Sequence, residues 1–516
     1  MHILRLSILI AFFTCNIAHA DKTDLTGNDK RKQCLAISGL FVQGNTLISL
    51  KEIERLINVK SNCITNNDIN ALAKDITNEY IKKGYIAARV RFIPINAQGQ
   101  LGLRVTEGIV EKITGGDKRT HYNILFPGVV GNPIQISQLD QAIDQANRLQ
   151  SNQVTLDILP GSNENNSIIL IKNKQAMPWH LSGSIDNYGY KNIDEWKKKM
   201  SFTLDSPLGL SDVISVSLNK TLDNERVRYK NETIISYSIP CGAFTFSAFI
   251  NQMQYRRYET LTYNRVKFHG NVRAVNFLSE YTFERSKNKI NTLSVQLKNK
   301  KTNTHLNDKK IEVSSYQFTT LKLGLNQFFI KPARIIDINT YIERSIPWFG
   351  DDKTRGNKNA FQIDNKFTKG GVNFNLNYGF MVLNSRYQLN SILSWQYSYG
   401  QLPNSEKFSI TERDAIRGFS REASKGHLGW YIKNTLSRHI SSANLTFIPR
   451  VGIDVGRVLQ RDNKQGWQSS AGLSAGVGLY YKKVSLDAEV SRGWLLSERS
   501  TRKEPIQILG RLSYAF

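Results

Sequence analysis

Residues 372–380 read VNFNLNYGF, so that apolar or aromatic side chains occupy every second position and asparagine or glycine fills the positions between them. Successive side chains of a β-strand point to opposite faces, and the pattern therefore predicts a strand with one apolar and one polar face. The same alternation recurs at residues 472–479 (GLSAGVGL) and 484–491 (VSLDAEVS), where Asp487 and Glu489 share the polar face. Because carboxylates occupy the polar face of this strand, we predict that the face lines a polar interior.

This alternation continues from residue 178 to the last residue, Phe516. A polar interior with an apolar exterior is the inverse of a soluble sandwich, and it is what a lipid-facing barrel requires. At about ten residues per strand plus connections, the region accommodates roughly 14 to 18 strands, and we expect an all-β transmembrane barrel of about 16 antiparallel strands. The polar segment 298–310 lies between two alternating runs and is predicted to be a surface loop.

Residues 1–20 have the pattern of a cleaved secretory signal: His2 and Arg5 precede an apolar run, and Ala18-His19-Ala20 forms a cleavage site. Residues 21–33 would then form a short polar N-terminal segment. Export argues against nucleic acid as the partner of a chain with a formal charge of +26. The positive charge is better suited to an aqueous lumen or to anionic lipid headgroups. After residue 20 there is no run of 18 apolar residues, which excludes a helical membrane protein.

Residues 34–108 mix helix and strand signals in the order β-α-α-β-β. Ser49 with Glu52, and Thr65 with Asp68, are predicted to cap the two helices. A second, shorter unit covers residues 109–174. It is predicted to contain a helix around residues 139–149, a strand at 154–159, a turn at 160–161 and a last strand at 168–171.

Three cysteines, Cys34, Cys63 and Cys241, follow the signal sequence. We predict a disulfide bond between Cys34 and Cys63, because both lie in one small exported domain; the alternative is a pair of buried free thiols. Cysteine and histidine show no spacing typical of zinc ligands, so neither a metal site nor a cofactor is predicted.

The sequence resembles the outer-membrane transporters of two-partner secretion (type V secretion), the TpsB family of haemolysin and adhesin exporters. The resemblance to the two POTRA domains of that family rests on VTEG at 105–108 and on LDQAIDQANRL at 139–149 with Pro160-Gly161. Three further motifs resemble the family's early barrel strands: DNYG at 186–189, SPLG at 206–209 and YSIP at 237–240. The resemblance implies two α+β POTRA domains, residues 34–108 and 109–174, before a barrel formed by residues 178–516.

Two other motifs bear on mechanism. Ile416-Arg417-Gly418-Phe419 resembles the tip of the family's sixth extracellular loop, which folds back into the lumen. Gly452-Ile453-Asp454-Val455-Gly456 resembles the strand that receives this tip. The resemblance implies that Arg417 reaches Asp454, where a charge-assisted bond would lock the loop to the barrel. The alternative is an arginine that is simply solvated. The chain departs from the family at Thr435, where an acidic residue is common, and in having only residues 21–33 for a plug helix.

The resemblance also implies a function. The POTRA domains would capture an unfolded secreted exoprotein through its N-terminal secretion domain, and the barrel would conduct it to the cell surface. The sequence leaves open whether this exoprotein is a haemolysin, an adhesin or a contact-dependent toxin. The other implied partners are outer-membrane lipid and the barrel-assembly machinery, to which Phe516 would be the signal, and the chain would act as a monomer. The implied substrate-capture region comprises five residues of the second unit: Leu139, Gln141, Gln145, Asn147 and Arg148.

Three other functions compete with export. Gly472-Leu473-Ser474-Ala475-Gly476 matches the GxSxG pattern of serine hydrolases, but a nucleophile elbow needs a strand-turn-helix and this stretch is continuous alternation. We therefore predict that the chain is not an enzyme. A diffusion porin does not need two periplasmic α+β units. An outer-membrane protein assembly factor of the same superfamily is the nearest alternative.

Overall fold

The computed structural model describes residues 34–56, 63–117, 119–190, 193–222, 228–261, 264–349, 366–420, 424–459, 466–496 and 501–516. The predicted signal sequence and the segment 21–33 lie outside these residues. One compact unit comprises the described residues up to Asn78 together with Val90–Val105. A second unit comprises Glu79–Arg89 and Thr106–Phe516. Within the described ranges, no helix has both the length and the apolar character needed to cross a membrane.

The first N-terminal module contains two helices and two small sheets. Its elements are β1 (Cys34–Ala36), β2 (Gly39–Gln43), α1 (Leu50–Leu56), β3 (Cys63–Thr65), α2 (Asn66–Lys82), β4 (Arg89–Ile93) and β5 (Gln100–Thr106). Strand β1 pairs with β3, and a three-stranded sheet has the order β2-β5-β4, in which β2 and β5 are parallel. The small β1–β3 sheet is an addition to the predicted β-α-α-β-β order.

The predicted capping boxes are present in this module. The backbone N–H of Ser49 donates to Oε2 of Glu52 at 3.2 Å. The backbone N–H of Thr65 donates to Oδ2 of Asp68 at 3.0 Å, and the N–H of Asp68 donates back to the Thr65 hydroxyl at 3.3 Å. Each box satisfies backbone donors that the first turn of a helix leaves without an intrahelical partner, which explains where the helices begin.

The second N-terminal module contains β6 (Ile109–Gly115), α3 (Tyr122–Leu125), α4 (Ile136–Ala146), β7 (Val154–Pro160) and β8 (Asn166–Asn173). Its sheet has the order β6-β8-β7. The buried face of α4 packs on this sheet through Leu139, Ala142 and Ala146. Helix α4 both begins and ends three residues before the predicted helix. It ends early because the side chain of Asn147 bonds the backbone N–H and C=O of Val154, at 2.6 and 3.0 Å.

The rest of the chain forms a closed antiparallel barrel of 16 long strands, as predicted. The long strands are β9 (Trp179–Asp186), β10 (Lys197–Asp205), β11 (Val213–Thr221), β12 (Tyr229–Cys241), β13 (Phe244–Leu261), β14 (Asn264–Ser286), β15 (Lys289–Leu306), β17 (Tyr316–Lys331), β18 (Arg334–Ile346), β19 (Thr368–Val382), β20 (Ser385–Tyr399), β23 (Leu428–Arg438), β25 (Leu445–Leu459), β26 (Trp467–Tyr481), β27 (Val484–Leu496) and β29 (Gln507–Ala515). The short strands β16 (Lys309–Lys310), β24 (Ile440–Ser442) and β28 (Thr501–Lys503) pair antiparallel with β15, β25 and β27.

Side-chain exposure follows the predicted alternation. On β27, Val484, Leu486 and Val490 are exposed on the outside, whereas Glu489 and Ser491 are buried in the interior. The barrel closes where β29 pairs with β9, from Arg511 opposite Asp186 to Ala515 opposite Ser182. The turns that contact the second N-terminal module mark the module end of the barrel, and the opposite end is called the far end.

The prediction of a surface loop at 298–310 is wrong for most of its length. Strand β15 continues to Leu306, and the turn lies at Asn307 and Asp308. Because β13, β14 and β15 have 18, 23 and 18 residues, they are much longer than the roughly 9–11 residues that cross a membrane. Their far ends project beyond the bilayer, where both faces can carry polar side chains, and apolar alternation therefore cannot identify the strand there.

Candidate functional site

The described residues between β20 and β23, 400–420 and 424–427, return into the barrel; we call them the lumen loop. It contains a 3₁₀ turn at Asn404–Glu406 and the short paired strands β21 (Phe408–Ser409) and β22 (Lys425–Gly426). Its tip, the predicted motif at 416–419, packs against the inner wall, where Ile416 and Phe419 join Ile410 and Val458 in an apolar cluster. Ile416 and Phe419 are each 1% exposed. The tip is therefore seated against the barrel wall.

Arg417 and Asp454 meet in this structure. The Arg417 backbone N–H and Nε donate to Oδ2 of Asp454 at 3.0 and 2.7 Å, and Nη2 donates to Oδ1 at 2.5 Å. Nη1 donates to the hydroxyl of Thr435 at 3.1 Å, and Nη2 also donates to the backbone C=O of Asn434 at 2.7 Å. Thr435 thus supplies a hydroxyl acceptor where the family commonly has an acidic side chain. Both charged groups are buried, and Asp454 is the counter-charge of Arg417.

Glycines make room for the tip. A Cβ at Gly452 would overlap the Arg417 guanidinium, and one at Gly456 would lie 2.9 Å from Cδ1 of Ile416. Both of these residues belong to the predicted strand motif. A Cβ at Gly472 would overlap the backbone C=O of Arg417, and one at Gly493 would lie 2.7 Å from the Phe419 ring. Strands β25, β26 and β27 therefore form a smooth seat that larger side chains would block.

The sequence analysis did not identify Gly472 and Gly493 as part of this seat. Gly472 is the first residue of the GxSxG match, and it lies within the continuous strand β26. The match therefore lacks the strand-turn-helix that a nucleophile elbow requires. The lumen loop gives a structural reason for a glycine at this position.

A second attachment of the lumen loop was also missed. Glu406, at the base of the loop, is 6% exposed. Its carboxylate accepts hydrogen bonds from Nζ of Lys369 at 2.7 Å, of Lys300 at 3.2 Å and of Lys298 at 3.3 Å. Lys298 and Lys369 also lie 3.4 Å from the carboxylate of Glu343 on β18. The base of the loop is thus held by an ion-pair network on β15, β18 and β19, while the tip is held by Asp454.

No pattern in the sequence predicted this ion-pair network. Lys298 and Lys300 fall in the segment that was predicted to be a surface loop, and Glu406 belongs to no recognisable motif. Only the strand register brings the three lysines to one side of the lumen.

At the module end, α4 and the residues after it contact the barrel turns. Nε2 of Gln145 donates to the hydroxyl of Thr245 at 2.8 Å. Arg148 donates to the hydroxyl of Ser238 and, through Nη2, to the C=O of Ser211 at 3.0 Å. Burial lowers the pKa of the Arg148 guanidinium, and the nearby Asp212 and Asp205 oppose this shift. The second module is therefore fixed to the barrel by side chains that the sequence analysis assigned to substrate capture.

Four of the five residues predicted to capture the substrate make internal contacts in this structure. Leu139 lies in the module core, Gln145 is buried against the barrel, and Asn147 ends α4. With Arg148 also engaged, four of the five residues are committed to internal contacts. Gln141 is partly exposed on the same helix.

We predict that Arg148→Met loosens the second module from the barrel. Loss of hydrogen bonds to a buried charged group costs about 1.5–3 kcal/mol each, and the neighbouring acidic groups lose their counter-charge. Limited proteolysis of the purified protein should cleave the connection at residues 174–178 faster than in the wild type. The matched control is Arg104→Met, because Arg104 is exposed on β5 of the first module. Equal cleavage rates for wild type and both variants would contradict this role of Arg148.

Phe516 lies at the seam of the barrel. Its backbone N–H donates to the C=O of Leu181 at 2.8 Å, and its exposed ring lies against Tyr514 with 4.6 Å between ring centroids. Asn187, which belongs to the early-barrel motif at 186–189, forms hydrogen bonds with β29 at the same seam. Its Nδ2 donates to the C=O of Ile508 at 2.9 Å, and its Oδ1 accepts from the N–H of Gly510 at 2.7 Å. Both residues contribute to closing the barrel.

Cys63 takes part in a disulfide bond, and Cys241 is a free, exposed cysteine. Strand β1 pairs with β3 so that Cys34 lies opposite Thr65 and Ala36 lies opposite Cys63. Within the part of the chain that the structure describes, no group of three or more histidine, cysteine, aspartate or glutamate side chains is arranged to hold a metal ion.

Comparison with protein families gives three matches. The family described as "Haemolysin secretion/activation protein ShlB/FhaC/HecB" matches residues 165–479. "POTRA domain, ShlB-type" matches residues 35–108, and "POTRA domain" matches residues 107–160. Together the three matches cover residues 35–160 and 165–479, which include most of both N-terminal modules and most of the barrel.

Comparison with individual proteins agrees with these matches. The chain is 43% identical to "Hemolysin transporter protein ShlB" of Serratia marcescens over 94% of this chain and 86% of that protein. It is 39% identical to "Hemolysin transporter protein HpmB" of Proteus mirabilis over 94% and 87%. The solved structure "CdiB from Escherichia coli" has the same fold, with a TM-score of 0.86 at 23% identity over 96% of this chain and 93% of that one.

Proposed function

The chain belongs to the ShlB/FhaC/HecB family of haemolysin secretion/activation proteins, and from this premise we propose that the exoprotein it exports is a haemolysin. As a member of this family it is an outer-membrane transporter with a β-barrel and periplasmic POTRA domains. The module end of the barrel accordingly faces the periplasm, and the far end faces the outside. The observation that carries the proposal is 43% identity to a haemolysin transporter over nearly the whole of both chains.

The seated lumen loop is proposed to be the resting lock of the transporter. Its tip is fixed at Asp454 and its base at Glu406, so the loop occupies the path that an exported chain needs. A lock of this kind has two states, and the exoprotein can open it only if it binds the open state more tightly than the closed one. Arg417, Gly418 and Asp454 are thus proposed to act in gating.

Capture of the exoprotein is proposed to occur on the second module at β7 rather than on α4. Strand β7 is an outer strand of the sheet β6-β8-β7, and Ile158 and Leu159 on it are about 40% exposed. An extended segment of the exoprotein could add to this strand by backbone hydrogen bonds, with apolar side chains giving specificity. Residues of α4 instead hold the module at the barrel mouth.

Several structural assignments accompany this proposal. The two POTRA domains are proposed to cover residues 34–108 and 109–174, and the barrel residues 178–516. The partner of Cys63 is proposed to be Cys34, because β1 and β3 place the two residues on neighbouring strands, two positions apart in register. Phe516 is proposed to be read by the barrel-assembly machinery, and the working unit is proposed to be a monomer without a cofactor or a catalytic activity.

Secretion assays in a bacterial host test the proposed substrate class. The full chain is expressed with a fragment of a haemolysin-type exoprotein that contains its N-terminal secretion domain, and secreted fragment is measured in the medium by immunoblotting. A matched fragment of a contact-dependent toxin exoprotein is the control substrate. Export of the haemolysin fragment in clear excess over the control is the expected result. Export of the toxin fragment alone, with the barrel inserted, would show that the substrate class is wrong.

A further inference from the structure

The outward face of β13, β14, β15 and β17 changes abruptly in character towards the extracellular end. The strand register places its residues in rows across the sheet. One row is apolar, and the second row above it is polar and basic. The apolar row contains Ala248, Phe277, Leu297 and Leu321; the row above contains Ile250, Val275, Asn299 and Thr319; the next contains Gln252, Arg273, Lys301 and Gln317. Phe277 is 57% exposed, which identifies this side as the lipid-facing one.

Arg273 and Lys301 lie directly opposite each other in this register. Both side chains are exposed, and among the residues that the structure describes neither forms an ion pair. Like charges at directly opposed positions on neighbouring strands repel and destabilise the sheet. An anion from the surroundings that binds between the two side chains would remove this repulsion.

The neighbouring side chains are also suited to an anion. Gln252 lies beside Arg273 in the same row. In the next row, Asn271 and Asn303 are opposite each other, and Nδ2 of Asn303 donates to Oδ1 of Asn271 at 3.2 Å. Amide N–H groups together with a guanidinium and an ammonium provide the donors that phosphate oxygens require.

Two aromatic residues mark the height of this row. The backbone C=O of Trp348 accepts from the hydroxyl of Thr319 at 2.6 Å, and the C=O of Phe349 accepts from Nε2 of Gln317 at 2.8 Å. Both aromatic side chains are more than half exposed, at 52% and 67%. Exposed aromatic side chains, tryptophan above all, are typical of the level where the apolar membrane core meets the headgroups. The basic row therefore lies at the headgroup level of the outer leaflet.

Basic residues further from the membrane are a weaker candidate for the same role. Lys267 and His269 continue the outward face of β14, but Asp308 pairs with them at 2.7 and 2.9 Å. A carboxylate at that level offsets part of the positive charge. Among the described residues of this face, the positive charge that no carboxylate pairs with is thus centred on Arg273 and Lys301.

We propose that Arg273 and Lys301 bind the phosphate group of a phosphorylated glycolipid in the outer leaflet. The apolar row below them contacts the acyl chains, and the amides of Gln252, Asn271 and Asn303 contact the sugar and phosphate oxygens. This site lies on the outside of the barrel and does not depend on the identity of the exported protein. Its function is to fix the height and rotation of the barrel in an asymmetric membrane.

Lipid titration of the purified full-length protein in detergent tests this site. The probes are bis-phosphorylated lipid A, phosphatidylglycerol and inorganic phosphate, and bound lipid is counted by native mass spectrometry. The test variant carries Arg273→Gln with Lys301→Gln. The matched control carries Lys331→Gln with Arg334→Gln, because Lys331 and Arg334 are also an exposed, directly opposed basic pair, at a periplasmic turn. A third variant, Arg273→Lys with Lys301→Arg, keeps both charges.

We expect the test variant to bind lipid A roughly 25-fold more weakly, because each of the two basic side chains near an anionic surface contributes about a factor of five. The periplasmic control and the charge-keeping variant should bind as the wild type does. Equal binding by test and control variants, whether both are normal or both are weakened, would overturn the proposal. Phosphatidylglycerol that binds the wild type as tightly as lipid A, or inorganic phosphate that displaces lipid A at millimolar concentration, would overturn the assignment to a glycolipid.

Discussion

Asp454→Asn is expected to unseat the lumen loop and to abolish most of the export activity. The substitution keeps the shape of the side chain but leaves the Arg417 guanidinium buried without its counter-charge. Removing one partner of a buried ion pair costs about 3–5 kcal/mol, which exceeds the contribution that an exposed pair makes. The apolar contacts of the tip and the hydrogen bonds from Arg417 to Thr435 and Asn434 would then have to hold it. The proposed lock must return to its seat in each gating cycle, and about 1.4 kcal/mol corresponds to a factor of ten in the population of the seated state. We therefore expect secretion to fall by more than about tenfold.

The state of the loop can be measured separately from secretion. Ala415 is 3% exposed, and Ala415→Cys introduces a thiol beside the tip. A membrane-impermeant maleimide added to intact cells should label this thiol in the Asp454→Asn background and leave it protected in the wild-type background. Cys241 lies at the periplasmic turn between β12 and β13, where the reagent does not reach it.

Asp487→Asn is the matched control for Asp454→Asn. Asp487 accepts from both Nη atoms of Arg450, at 2.6 and 2.8 Å, and both residues belong to strands of the barrel wall. This variant removes a comparable ion pair without touching the lumen loop, and it should keep the Ala415→Cys thiol protected. Full protection and normal secretion in Asp454→Asn would show that the pair with Arg417 does not hold the loop.

Gly418→Ala is expected to have an effect of similar size by a different mechanism. Gly418 has φ of +92°, a conformation that costs an L-residue about 1–2 kcal/mol. In addition, a Cβ there would overlap the backbone of Arg492 and Gly493 on β27, and a backbone clash cannot be relieved by a side-chain rotation. The tip should therefore leave its seat. Secretion and maleimide labelling report the outcome, and heat-modifiable migration on SDS gels checks that the barrel still inserts.

Gly466→Ala separates the conformational cost of a positive φ from the steric overlap with β27. Gly466 also has a positive φ, of +67°, but a Cβ at this position meets no atom within 4 Å. Only the conformational cost applies, and this variant should secrete normally. If Gly418→Ala and Gly466→Ala behave alike, the close contact of Gly418 with β27 has no part in seating the loop.

Local patterns in the sequence predicted much of the fold. Alternation at 372–380 and 484–491 predicted two strands that the structure contains, and on 484–491 the exposed and buried faces are the predicted ones. The capping boxes at Ser49 and Thr65 predicted where two helices begin. A capping box can be recognised in the sequence because its side chains bond backbone N–H groups within the same four residues. Arg417 and Asp454 were predicted as partners, although they are 37 residues apart, because each belongs to a motif of the family.

The predictions failed where the local sequence pattern does not depend on what surrounds the side chains. Residues 298–306 are a strand, but from Lys301 onward this strand lies outside the apolar core of the membrane, where lipid no longer requires an apolar face. Helix α4 was identified, but its residues Gln145 and Arg148 bind the barrel rather than an exoprotein. A polar side chain at an internal interface and one at a capture surface have the same chemistry, so the sequence does not distinguish them.

The sequence by itself therefore determined that this chain forms an antiparallel barrel of roughly 14 to 18 strands, preceded along the chain by two α+β modules, because alternation and helix capping act between near neighbours. The tertiary structure alone decided which side chains meet across the lumen. Glu406 binds Lys298 across 108 residues of chain, and Gly472 and Gly493 are placed under the loop tip by the register of β26 and β27. Register and closure are set by the whole sheet, and a shift of one residue would turn each of these groups to the opposite face.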